Sequence, residues 1–116
     1  MTFKKLIASF SLIAASVSTP VFANYSCKGK VSSVSLRENS RLYASIDGVV
    51  SNGGICFLND SEKGKFCHAV YSSLLVALSA QKEVVVYFSK GTSANCNKGS
   101  WVTFEDHGFY HFSLKR

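Results

Sequence analysis

The chain is 116 residues long, with 13 Lys+Arg against 7 Asp+Glu, four Cys, a single Pro and 47% hydrophobic residues. It is too short for two ordinary domains, and too apolar and aromatic for a disordered chain. Its one Trp, five Tyr and four Cys suit neither a coiled coil nor a collagen-like repeat.

Residues 1–23 read as a secretory signal peptide. Lys4 and Lys5 supply the charged start, Leu6 to Val17 an apolar stretch, and Pro20 precedes Val21-Phe22-Ala23, a small-residue cleavage pattern. The apolar stretch falls short of the roughly 20 residues that span a bilayer, and no later stretch is long enough. The expected mature protein is one domain, residues 24–116, secreted or periplasmic, with no transmembrane span. Loss of the two leader lysines leaves 11 basic against 7 acidic residues, a formal charge of +4. The basic residues are scattered without a run, which reads as ordinary solubilising charge and gives no sign of nucleic acid as a partner.

The four cysteines, Cys27, Cys56, Cys67 and Cys96, all lie in the mature chain. An even number in a small exported domain predicts two disulfides. A zinc site is disfavoured, because there is no C-x-x-C pair and no His at ligand spacing. Of the three pairings, Cys56–Cys67 closes a local loop and Cys27–Cys96 ties the start of the mature chain to its last third; these two are preferred.

Lys28 to Arg37 has strand character with a slipped alternation, Val31 on one parity and Val34 and Leu36 on the other, which predicts a β-bulge. Glu38-Asn39-Ser40 is a turn, and Leu42, Ala44 and Ile46 then alternate with Arg41, Tyr43, Ser45 and Asp47 in a second strand. Ser51-Asn52-Gly53-Gly54 reads as a second turn, followed by a short strand from Ile55 to Leu58. Asn59 to Lys65 is polar and expected as a loop. From Phe66 to Ala80 the period changes to that of a helix, with Phe66, Cys67, Val70, Tyr71, Leu74, Ala77 and Leu78 on one arc and His68, Ser72 and Ser79 opposite. Leu75 and Val76 fall at the edges of the polar face. Glu83 to Ser89 is the strongest strand, β-branched and aromatic throughout. Lys90 to Ser100 is a loop holding Cys96. The end reads as a hairpin, with Trp101 to Phe104 running out, a turn at Glu105 to Gly108, and Phe109 to Leu114 returning.

The order strand, strand, strand, helix, strand, strand is the plan of an OB-fold: a mainly β, five-stranded Greek-key barrel with one helix. The alternative is an α+β sandwich with the helix on one sheet.

The stretch from Cys67 to Gly91, with Cys96 and Trp101 beyond it, resembles small exported bacterial OB-fold proteins related in plan to the B subunits of subtilase cytotoxin and pertussis-like toxins. The resemblance covers roughly residues 56–102. It rests on a helix of the form Tyr71-x-x-Leu74-Leu75-x-Ala77 that feeds a Val84-x-Val86-Tyr87 strand. It implies an OB-fold, assembly as a homo-oligomer (a pentamer), binding of host glycans, and a separate catalytic subunit. No glycan-binding residue carries over from it.

The chemistry of the residues points to binding rather than catalysis. His107 and His111 sit four residues apart on what reads as a hairpin, about 13 Å along a strand and too far to share one ion. His68 and Ser72 share a helix face but lack a nucleophile-elbow motif and an oxyanion hole. No phosphate loop, dinucleotide fingerprint or redox motif occurs, so neither an enzyme nor a cofactor is expected. OB-folds bind along strands two and three, flanked by the first-to-second and fourth-to-fifth strand loops. Those positions hold Arg37, Asn39, Arg41 and Tyr43 on one side, and Lys90, Asn95, Asn97, Lys98 and Trp101 on the other. Trp101 read alone is better placed in the core, as Trp residues are largely buried. Two rival functions are an exported inhibitor or immunity protein presenting Asn59, Asp60, Glu62 and Lys63 on the Cys56–Cys67 loop, and a structural envelope protein.

Overall fold

The computed structural model describes residues 24–91 and 95–116. The expected leader, residues 1–23, lies outside the described residues.

The first strand, β1 (Tyr25–Leu36), buries Tyr25, Cys27, Gly29 and Val31 in strict alternation. Its register then shifts between Val31 and Ser33, at the slip in the sequence pattern. Below the shift β1 pairs antiparallel with β4 (Glu83–Phe88), from Tyr25 opposite Phe88 to Lys30 opposite Glu83. From Val31 opposite Ile46, across the shift to Leu36 opposite Leu42, β1 pairs instead with β2 (Arg41–Ile46). One bent strand thus serves two half-sheets, which is what a bulge achieves. With β3 (Val50–Phe57) and β5 (Phe109–Leu114) the order is β3-β2-β1-β4-β5, antiparallel throughout. The outer edge of β3 is not bare. Ser51 and Gly54 form parallel bridges with Ser100 and Thr103.

The sheet wraps one helix, α1 (Glu62–Ala80). Leu42, Ala44 and Ile46 of β2, Ile55 of β3, and Val84, Val86 and Phe88 of β4 form one buried cluster with Cys67, Val70, Leu74 and Ala77 of α1. Phe104, fully buried, meets Phe88 edge to face at 5.0 Å. Both disulfides form as Cys27–Cys96 and Cys56–Cys67, with Cα separations of 5.5 and 5.7 Å.

Three sequence expectations are corrected. The turn between β2 and β3 is Asp47-Gly48-Val49, closed by the Val49 amide on the Ile46 carbonyl at 2.9 Å, and not Ser51 to Gly54. Gly53 and Gly54 lie inside β3. They are glycines because of close approach: a Cβ on Gly54 would sit 2.4 Å from Arg41 Nη2, and one on Gly53 2.5 Å from Val50 Cγ2. The helix starts at Glu62, four residues before the expected Phe66. The Ser61 hydroxyl accepts the Gly64 amide at 3.0 Å, and the Asn59 side chain accepts the Ser61 amide. This capped first turn carries no apolar periodicity and so looks like loop. Finally, Trp101 to Thr103 is not one arm of a hairpin. It runs beside β3, passes through a 3-10 turn at Phe104–His107, and β5 pairs with β4 instead.

Candidate binding face

Three of the nine expected binding residues converge. Tyr43 is half-buried on β2, opposite Ser35 of β1. Arg37 begins the β1–β2 turn, its amide bonded to the Arg41 carbonyl at 3.0 Å and its carbonyl accepting the Ser40 amide at 2.9 Å. That turn holds the Arg37 guanidinium 4.9 Å from the Tyr43 ring centroid and 5.9 Å from that of Trp101. The two rings meet edge to face at 5.9 Å. Arg37 has no carboxylate partner among the described residues.

Trp101 overturns the core expectation: it is 60% exposed. Its backbone has φ +60°, a conformation uncommon for a bulky side chain. The strand-like seam with β3 imposes it. The Trp101 amide donates to the Ser51 carbonyl at 3.0 Å, and on either side the Ser51 amide reaches Gly99 O at 2.9 Å and the Gly54 amide Val102 O at 2.8 Å. The indole is therefore presented outward from a fixed backbone.

The other six residues have different employment. Arg41 is 4% exposed and engaged by Glu105 at 2.5 and 2.9 Å, with its guanidinium 4.4 Å from the Phe57 ring. The hydrogen bonds that Arg41 donates to Glu105 raise the Arg41 pKa above its ordinary value against the opposing effect of burial. Asn39 turns its side-chain oxygen to the Arg41 amide at 3.1 Å. Lys98 donates to the Tyr25 hydroxyl and the Asn95 carbonyl, both at 2.5 Å, and lies over the Phe88 ring at 4.6 Å. Asn97 accepts the Gly99 amide within its own turn. Lys90 is exposed at the border of a separate groove of about 630 Å³, with Phe57, Phe66, Phe109 and Tyr110 in its lining. Glu105 was invisible as a partner because it lies 64 residues from Arg41, in a segment that looks like a plain acidic turn.

The histidines stand apart. His107 lies 6.1 Å from the Phe88 ring and His111 4.8 Å from that of Tyr87. Burial, and secondarily the Lys98 charge, lower the His107 pKa. Among the described residues no three His, Cys, Asp or Glu side chains are grouped to hold a metal ion, and no helix is long and apolar enough to cross a membrane. No protein-family model matches the chain, and no curated protein is similar to it.

Proposed function

We propose that this is an exported, non-enzymatic binding protein with an OB-type barrel, and that it takes glycans on the Arg37–Tyr43–Trp101 face. The observation that carries the reading is Trp101 itself: an indole held outward on a clamped, left-handed backbone beside a second ring and a guanidinium with no carboxylate partner among the described residues. Fixed aromatic area offers a stacking surface at little entropic cost, and a guanidinium offers five donors to hydroxyl or carboxylate oxygens.

The strand order supports the barrel. A bent β1 shared by two half-sheets, a helix between β3 and β4, and parallel bridges from β3 to the chain entering β5 are features of that plan. The three residues also occupy the positions from which OB-folds bind: the β1–β2 turn, β2, and the β4–β5 connection. Two disulfides accord with an oxidising compartment. A toxin B-subunit-like ring with a separate catalytic subunit is the fuller form of this reading. In such a ring Leu75 and Val76, 39% and 52% exposed, would be covered by neighbouring copies. The inhibitor reading draws less support, because Glu62 and Lys63 belong to the helix and only Leu58 to Ser61 remains outside regular structure.

The test is a glycan array with the disulfide-intact chain 24–116, repeated with Trp101→Ala, alongside light scattering. Glycan binding that Trp101→Ala weakens at least about tenfold, the cost of one good contact, supports the proposal. Binding indifferent to Trp101, or none, overturns it. A mass near five subunits supports the ring, and a monomer leaves a free-standing binder.

A further inference from the structure

Charges scattered along the sequence gather in the fold. On the half-sheet of β1, β4 and β5, the exposed residues of β1 alternate with the buried Tyr25, Cys27, Gly29 and Val31. They include Lys28 and Lys30 of β1, with Lys30 paired opposite Glu83. Lys115 joins the same end, its amide donating to the Glu83 carbonyl at 2.9 Å. Lys82 precedes Glu83 and Arg116 follows Lys115. Five cations thus lie on or next to this end of the half-sheet, with one carboxylate among them, a combined formal charge of +4 that equals that of the whole chain 24–116. Elsewhere, six cations (Arg37, Arg41, Lys63, Lys65, Lys90, Lys98) balance six carboxylates (Glu38, Asp47, Asp60, Glu62, Glu105, Asp106). Asp47 stands at the rim, its amide on the Lys30 carbonyl, and counted with the patch still leaves +3. None of the five cations forms an ion pair among the described residues, and Glu83 forms none either.

We infer that this end of the β1–β4–β5 face docks the protein on an anionic membrane surface, through lipid headgroup phosphates. The cations are spread in two dimensions: Lys28 and Lys30 are about 7 Å apart along one strand, and β1 and β5 about 10 Å apart across the sheet. A flat array of this kind meets a plane of charges better than a single phosphodiester strand. Four of the five cations are lysines, which act as point charges. The nearby rings of Tyr87 and His111 are packed on each other at 4.8 Å, unlike the open platforms that stack bases. This inference is independent of the Trp101 face.

The test is co-sedimentation of the disulfide-intact chain 24–116 with vesicles of phosphatidylcholine alone, or of phosphatidylcholine and phosphatidylglycerol in equal parts. Binding is expected only to the anionic vesicles, and should weaken as salt is raised. Each lysine near such a surface contributes about fivefold in partitioning, so K28Q/K30Q should lose about 25-fold. K115Q/R116Q, just past the end of β5, should lose a similar factor and so guards against a local folding defect. K63Q/K65Q removes the same charge from the balanced remainder and should lose far less. Equal losses in all three variants would show that net charge alone acts, and would overturn the docking face. So would failure to bind anionic vesicles, or binding to a single-stranded polynucleotide in preference to them.

Discussion

Arg41 and Glu105, 64 residues apart, form a two-pronged ion pair, Nη1 to Oε2 at 2.5 Å and Nη2 to Oε1 at 2.9 Å. The pair ties β2 to the 3-10 turn that precedes β5, with the guanidinium buried and the carboxylate half-exposed. Stripping one partner from a fully buried pair costs about 3–5 kcal/mol, because a charge is left uncompensated. Water reaches Glu105, so E105Q should cost less, about 2 kcal/mol by urea denaturation. The double variant R41M/E105Q should be the more stable of the two, since an apolar group replaces the orphaned charge. A loss below about 0.5 kcal/mol for E105Q would mean that the contact is an ordinary surface bridge.

Gly29 is the tightest point of β1. A Cβ there would lie 2.1 Å from the Asp47 carbonyl oxygen, a backbone atom fixed by the turn after β2. A flexible side chain would yield, but this oxygen cannot move without disturbing the turn. G29A should cost about 3 kcal/mol, at the upper end for overpacking, and a melt will show it directly. At Gly48, where nothing lies within 4 Å of the added carbon, Ala should pay only for its φ of +80°, about 1 kcal/mol.

The disulfides differ in span, 69 residues for Cys27–Cys96 and 11 for Cys56–Cys67. Loop-closure entropy assigns about 4 and about 3 kcal/mol to them. Paired Cys→Ala variants compared by urea denaturation should therefore rank C27A/C96A as the less stable. The reverse ranking would place the weight on the packing of buried Cys67 under β3.

Local pattern and long-range closure were unequally legible in the sequence. The slipped parity of Val31 and Val34 marked the bulge because register is a local property of one strand. The helix core was readable for the same reason, through its period. Gly53 and Gly54 misled because glycine serves both turns and close approach, and only the position of Arg41 tells which. The Trp101 segment misled more. Its hydrogen bonds go to Ser51 and Gly54, about fifty residues back, and no spacing rule reports such a partner. Of the residues expected to bind, Arg37, Tyr43 and Trp101 stand together in the fold, while Arg41 and Lys98 are engaged by Glu105 and Tyr25.

His107 makes stability depend on mild acid. Burial first, and the Lys98 charge second, hold its folded pKa below the ordinary 6.5. Above pH 6.5 the ring is neutral in both states and the native fold keeps its full stability. Below it the unfolded chain takes up the proton first, so stability falls until the folded pKa is passed. Melting temperature should decline on acidification from pH 7, and H107Q should flatten that part of the curve. An unchanged slope in H107Q would move the effect to other groups.

Trp101 separates stability from recognition. A buried Trp lost to a small residue costs about 3–5 kcal/mol. Here the ring is largely in water, its only aromatic neighbour among the described residues is Tyr43 at 5.9 Å, and its φ of +60° is a conformation that glycine adopts freely. Relief of the left-handed backbone, about 1 kcal/mol, should offset the lost ring contact, about 0.5–1.5 kcal/mol. W101G should therefore unfold within about 1 kcal/mol of the parent while weakening the proposed glycan binding as W101A is expected to. A stability loss of about 3 kcal/mol or more would place the indole among the core contacts. Near-parental stability with binding abolished leaves recognition as the reason for a strained, exposed Trp at this position.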